Sequence, residues 1–88
     1  LSIKNQRIEM NFCKTFLTSN GFNEIDNYFE LKKLKLKISI NYDEIIVDNL
    51  CNQNYVLPLS RYALIGFLFH FHILNIDYKY PNEIKNSI

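Results

Sequence analysis

The side chains best suited to chemistry fall in few places. Histidine occurs only at His70 and His72, inside the uncharged stretch YALIGFLFHFHIL (Tyr62–Leu74), and cysteine only at Cys13 and Cys51. A His-x-His pair can chelate a metal from a strand, where side chains two residues apart share a face about 7 Å apart. On a helix the two diverge by about 200° and cannot hold one ion. A third ligand would have to be Cys13, Cys51 or a distant carboxylate, and no HExxH or CxxC spacing is present. No metal and no cofactor is expected. Nucleophilic catalysis needs a nucleophile, a base and an orienting group. Ser60 and Cys51 stand near the histidines in sequence, but neither has a glycine-rich elbow or an oxyanion turn. Asp43-Glu44 is an adjacent acidic pair of the kind that turns leave in water. With only two glycines, the chain has no P-loop or dinucleotide fingerprint. The expectation is a protein that is not an enzyme.

Two groups of cations are candidates for binding. Lys32, Lys33, Lys35 and Lys37 form a local basic patch beside Tyr28 and Phe29, while Lys4, Arg7 and Lys14 fall on one face of the N-terminal segment. Lysines beside exposed aromatics suit a single strand of nucleic acid, held through phosphates and stacking. Acidic residues flank the patch, Glu24, Asp26 and Glu30 before it and Asp43, Glu44 and Asp48 after it. Antiparallel neighbours can pair these acids with the lysines. The net charge of +1 excludes a polyanionic nucleic-acid mimic and does not suggest a strongly basic binder.

The elements that must carry these residues follow from periodicity. Residues 4–20 read as a helix, with Ile8, Phe12 and Phe16 recurring at i, i+4 and Cys13 and Leu17 beside them. Gly21 suits the left-handed position after the helix, and Phe22 can fold back onto Leu17 as in a Schellman cap. From Asn27 the period becomes two. Phe29 and Leu31 share one face, and Leu34, Leu36, Ile38 and Ile40 share one in the opposite numerical phase, so a turn or bulge is expected at Lys32-Lys33. Lys33, Lys35, Lys37 and Ser39 then line the outer face. Asn41 to Glu44 supplies a turn. EIIVDNL reads as a third strand with Ile45 and Val47 inward, or Ile46 in the other register. NLCNQN reads as a loop, and YVLPL as a short extended piece. Pro58, the possible N-cap Ser60 and the apolar run favour a helix of about 14–16 residues. The segment from Asn75 reads as a polar tail, with a possible short strand at Ile76–Tyr80. The expected fold is α+β: a two-layer α-β-β-β-α domain with a three-stranded antiparallel meander and two helices.

Eighty-eight residues with 48% apolar and 22% charged content make one domain, 1–88, with 76–88 as a polar tail. Two cysteines 38 positions apart are expected as reduced, packed thiols, a single disulfide being the alternative. LSIKNQRIEM has no apolar leader core, so a cytoplasmic location is expected. Asn and Ile abound while Ala, Arg, Gly and Pro are scarce, the residue usage of an AT-rich genome. Thirteen uncharged residues with two histidines fall short of the roughly 20 apolar residues that span a bilayer, so no membrane role is expected.

A helix apolar around most of its circumference must bury both sides. In a two-layer domain one side meets the sheet; the other needs the first helix or another protein. Tyr62, Phe67, His70 and Phe71 are therefore the candidate partner-binding residues, with self-association included. The pattern FLTSNGF, then YFEL and lysine-alternating strands, then LPLSRYALIGFLFHF, resembles the short orphan proteins of phages and mobile elements in AT-rich bacteria, of which anti-CRISPR proteins are the best-known class. That resemblance implies binding to host machinery rather than catalysis. The functional expectation is a non-enzymatic module that binds a protein partner, such as a bacterial defence ribonucleoprotein, and inhibits its nuclease. The alternatives are a small RNA- or single-stranded-DNA-binding protein using the lysine-rich strand, and a homodimeric structural or regulatory domain.

Overall fold

The computed structural model describes residues 2–50 and 52–74. Helix α1 spans Ile3–Ser19, where the Ser2 side chain accepts a hydrogen bond from the Asn5 backbone N–H and satisfies one orphan donor of the first turn. Its buried residues are Phe12, Cys13, Phe16 and Leu17. Their spacing of one and four makes a single stripe on a 3.6-residue helix. Ile8, the first member of the expected stripe, is instead exposed. Beyond Asn20 the chain reverses as expected. Gly21 takes a φ of +94°, and the Phe22 N–H donates to the Leu17 carbonyl at 3.1 Å. The Asn20 side chain ties off the Phe16 carbonyl at 2.9 Å.

Five antiparallel strands follow: β1 (Asn23–Ile25), β2 (Tyr28–Leu31), β3 (Leu36–Ile40), β4 (Glu44–Leu50) and β5 (Gln53–Pro58). They lie side by side in chain order. The sheet is a meander, as expected, but with five strands rather than three. β1 has three residues, Asn23, Glu24 and Ile25, too few to show alternation; Asp26, at φ +50°, makes the tight turn that pairs it with β2. β5 is a full strand where only an extended piece was expected. Asn49 sits at φ +66° in an irregularity between Val47 and Leu50 and donates its N–H to the Asn54 side chain. A side-chain amide thus replaces a ladder contact, and Asn49, Leu50, Gln53 and Asn54, expected in a loop, belong instead to β4 and β5.

The phase change after Leu31 lies where it was placed, at Lys32-Lys33. Lys32–Leu34 wind into one 3-10 turn closed by Lys35 at φ +54°. Asn49 donates its side-chain N–H to the Lys35 carbonyl from the neighbouring hairpin. This turn corrects the reading of Leu34. It lies before β3, not in it, and its side chain is exposed. Lys33 and Lys35 likewise belong to the turn; of the expected outer row, Lys37 and Ser39 lie on β3.

Helix α2 spans Arg61–His70, ten residues instead of the expected 14–16. Its end is a Schellman reversal with histidine in the left-handed position. His72 has φ +59°, its N–H donates to the Phe69 carbonyl, and the Ile73 N–H donates to the Leu68 carbonyl. A helix continued through Leu74 would carry that side chain away from the Leu64 and Leu68 stripe at 100° per residue. The reversal returns Leu74 to the core and packs Ile73 against it.

Both helices cover one face of the sheet, α1 against β1 to β3 and α2 against β5. Phe29, Leu31, Leu36, Ile38, Ile40, Ile45 and Val47 meet them from the strands. Ile45 and Val47 point inward, as the first of the two registers had it. The possible strand at Ile76–Tyr80 lies outside the described residues.

Gly21 is the one position where φ requires glycine. Gly21→Ala should lower unfolding stability by roughly 1–2 kcal/mol, the cost of an L-residue in the left-handed region. Urea titration reads this as a lower midpoint at unchanged slope.

Candidate functional site

The placement of α2 decides which of its side chains remain available. Ser60 caps the helix, its hydroxyl oxygen accepting from the Ala63 N–H at 3.4 Å. The stronger contact comes from α1. Glu9 accepts the Arg61 backbone N–H on Oε2 at 2.8 Å and the Arg61 Nε–H on Oε1 at 2.9 Å. One carboxylate thus meets an orphan N–H and the positive end of α2 together with a guanidinium. The guanidinium carbon lies 3.8 Å from the centre of the Phe12 ring. Arg61 is the buried charged residue among those described, and this pairing with carboxylate and ring permits it.

With Glu9 and Arg61 holding the start of α2, Leu64 and Leu68 enter the core. Phe67 and Phe71 face Tyr55 of β5, with ring centroids 5.2 and 5.4 Å away. The two lie 4.6 Å from each other, and all three are half-buried. Tyr55 anchors its hydroxyl on the Gln53 side chain. Exposed on the far side are Tyr62 (75%), Gly66, Phe69 (37%) and His70. At i, i+4, i+7 and i+8 they share one helix face. The four expected partner-binding residues therefore divide. Tyr62 and His70 lie on the open face, while Phe67 and Phe71 pack toward β5. Tyr55 meets that second pair, which also packs against the core.

Two members of the open face, Gly66 and Phe69, carry no sequence signal that separates them from the apolar residues around them. Gly66 is informative because nothing among the described residues requires it. A Cβ built there meets nothing within 4 Å among the described residues, and its φ is not in the left-handed range. The space between Tyr62 and Phe69 is thus open to a neighbour. A cleft of about 450 Å³ adjoins Tyr62, lined by Asn5, Ile8, Glu9, Leu59, Ser60 and Arg61.

The basic candidates do not form one surface. Lys4 and Arg7 are exposed near the start of α1, with Lys14 half-buried further along. Gly21, just past the other end of α1, sits against Leu31, which immediately precedes the Lys32–Leu34 turn. Lys32, Lys33 and Lys35 are exposed at that far end. On the outer sheet face the register sets Lys37 directly between Glu30 and Asp48. Its ammonium also lies 5.0 Å from the Tyr28 ring centre. The acids flanking the lysines therefore come opposite one of them, Lys37.

His70 ends α2, and His72 lies in the reversal beyond it. Among the described residues no three His, Cys, Asp or Glu gather as a metal site. Cys13 is free and buried; Cys51 lies outside the described residues. Burial, with a smaller contribution from the Glu9 charge, pushes the Cys13 thiol up from 9.0 to about 12, against an opposing pull from Arg61. Among the described residues no helix is long and apolar enough to cross a membrane.

No family model, no curated protein and no solved structure matches this chain.

Two tests follow from the helix junction. Removing either partner, by Glu9→Ala or Arg61→Ala, should destabilise the fold by about 3 kcal/mol, because the other is left under-compensated in a low-dielectric site. The double variant should cost less than the sum of the two, with a coupling of about 1–3 kcal/mol in a denaturation cycle. Strict additivity would show that the contact contributes nothing of its own.

Cys13 should be inert in the folded chain. In a Cys51→Ser background, a disulfide-exchange reagent at pH 8 should modify it only as fast as the protein unfolds. The raised thiol value also has a sign. Its contribution to stability is complete below pH 9.0 and declines toward pH 12, since the unfolded thiol ionises first.

Proposed function

We propose that this chain is a non-enzymatic protein-binding module whose docking surface is the open face of α2, and that it acts by occupying a partner. The observation that carries this is Gly66. It is one of two glycines in the chain and sits in mid-helix, where glycine costs about 1 kcal/mol relative to alanine. Among the described residues no packing contact or backbone conformation accounts for it. It lies between Tyr62 and Phe69, two exposed aromatic side chains. Aromatic anchors beside a small residue provide bulk for a partner's pocket and room for its backbone or side chains.

The resemblance to short mobile-element proteins supports a bacterial defence nuclease complex as the partner, with inhibition by steric occupation. Nucleic acid is the less well supported ligand. The cations lie at both ends of α1, and Lys37 stands between two carboxylates.

The test uses the purified chain and reconstituted CRISPR effector nucleases. Wild type should bind one of them after nuclease removal of free nucleic acid and lower its cleavage rate at stoichiometric amounts. Tyr62→Ala and Phe69→Ala should each weaken that binding about tenfold or more, as loss of an interface anchor does. Gly66→Ala should separate fold from function, raising thermal stability by an amount equivalent to about 1 kcal/mol while weakening the complex. Binding that survives all three changes, or disappears with nucleic acid removal, would refute the reading.

A further inference from the structure

β5 is the last strand of the described sheet, and none of its residues, Gln53 to Pro58, carries a charge. The other edge is different. β1 has three residues, centred on Glu24 and followed by Asp26. Long uncharged edges are templates for strand addition, and natural sheets usually block them with charge or by shortening.

The register shows which backbone groups β5 offers. The Asn41 N–H donates to the Glu44 carbonyl at 2.9 Å, so Glu44 turns its backbone groups toward β3. Hydrogen-bonding direction alternates along a strand, so Ile46 and Asp48 do the same, while Ile45 and Val47 turn toward β5. Their partners there are Leu57 and Tyr55. Asn54, Val56 and Pro58 consequently direct their backbone groups out of the sheet.

These three positions are symmetric about Val56. We propose that β5 pairs antiparallel with β5 of a second copy of this chain, about a two-fold axis through Val56. Val56 then exchanges both of its backbone hydrogen bonds with its counterpart. Each Asn54 N–H donates to the Pro58 carbonyl opposite. The N–H that proline lacks leaves only the Asn54 carbonyl to water. No like charges face each other across the axis. Side chains support the same arrangement. Ile25 pairs with Tyr28, and Ile46 with Val56, in one outward row that crosses β3 at Ser39. The row ends at Val56, which is 66% exposed. Pairing of the two edges continues the row into the second sheet and covers that valine.

Sedimentation velocity over a concentration series tests this, with circular dichroism confirming that each variant is folded. Wild type should shift from monomer to dimer as concentration rises. Val56→Lys, which sets two ammonium groups opposite each other, should weaken self-association about tenfold or more. An equimolar mixture of Val56→Lys and Val56→Glu should restore the dimer, while Tyr62→Ala on α2 should leave self-association unchanged. Wild type that stays monomeric throughout, or Val56→Lys that dimerises like wild type, would overturn the proposal. Occupation of the edge by any other strand produces the first of those results. Because the variants lie on different elements, failure here leaves the α2 reading standing, and the converse also holds.

Discussion

The carboxylate of Glu9 grips both the backbone and the side chain of Arg61, and the orientation of α2 depends on that grip. A helix apolar around most of its surface has no strong rotational preference of its own, since almost any face satisfies a sheet. A charge-assisted contact at the first helical residue removes this freedom. Once Arg61 must meet Glu9 and lie over Phe12, Leu64 and Leu68 point inward, Phe67 and Phe71 meet Tyr55, and Tyr62, Gly66, Phe69 and His70 face outward. The open surface is thus a consequence of one ion pair made at the opposite side of the helix.

A second constraint comes from composition. The chain has two glycines, yet among the described residues five that are not glycine have positive φ: Asp26, Lys35, Asn49, Asn52 and His72. Asn and Asp tolerate the left-handed region because their short polar side chains can bond to nearby backbone. Lys35 and His72 have no such aid from their own side chains. Their conformations are held from outside, by the Asn49 amide on the Lys35 carbonyl and by the Schellman bonds and burial of Leu74 after His72. Tight connections are made here by neighbours that enforce them, which is why turn chemistry was a weak guide to strand number. Against this background Gly66 stands out, since nothing among the described residues requires glycine there.

Much of the layering was legible from periodicity. The α1 stripe from Phe12 to Leu17, without its expected first member Ile8, the reversal at Gly21-Phe22, the break at Lys32-Lys33 and the inward Ile45 and Val47 follow from spacing and appear in the structure. The misses share a cause. β1 and β5 are strands because a neighbour supplies hydrogen bonds, and neither has enough apolar alternation to announce itself. Leu34 looked like one more residue of a periodic run, but the run was interrupted by a turn whose closure depends on β4's Asn49. Tyr62 and His70 were recognisable as candidates for the open surface, whereas Phe67 and Phe71, chosen with them, were claimed by Tyr55.

The sequence by itself determined an α+β domain with two helices against an antiparallel sheet, because alternation at two and at 3.6 residues is written into the order of apolar side chains. It also determined that Tyr62–Leu74 has more apolar surface than one contact can bury. Which part of that surface stays exposed was decided only in three dimensions. Glu9 and Arg61 are 52 residues apart, and nothing local in the chain marks them as partners. Their meeting requires both helices to be laid on the same sheet, and a contact formed only after that packing leaves no trace in any short stretch of sequence.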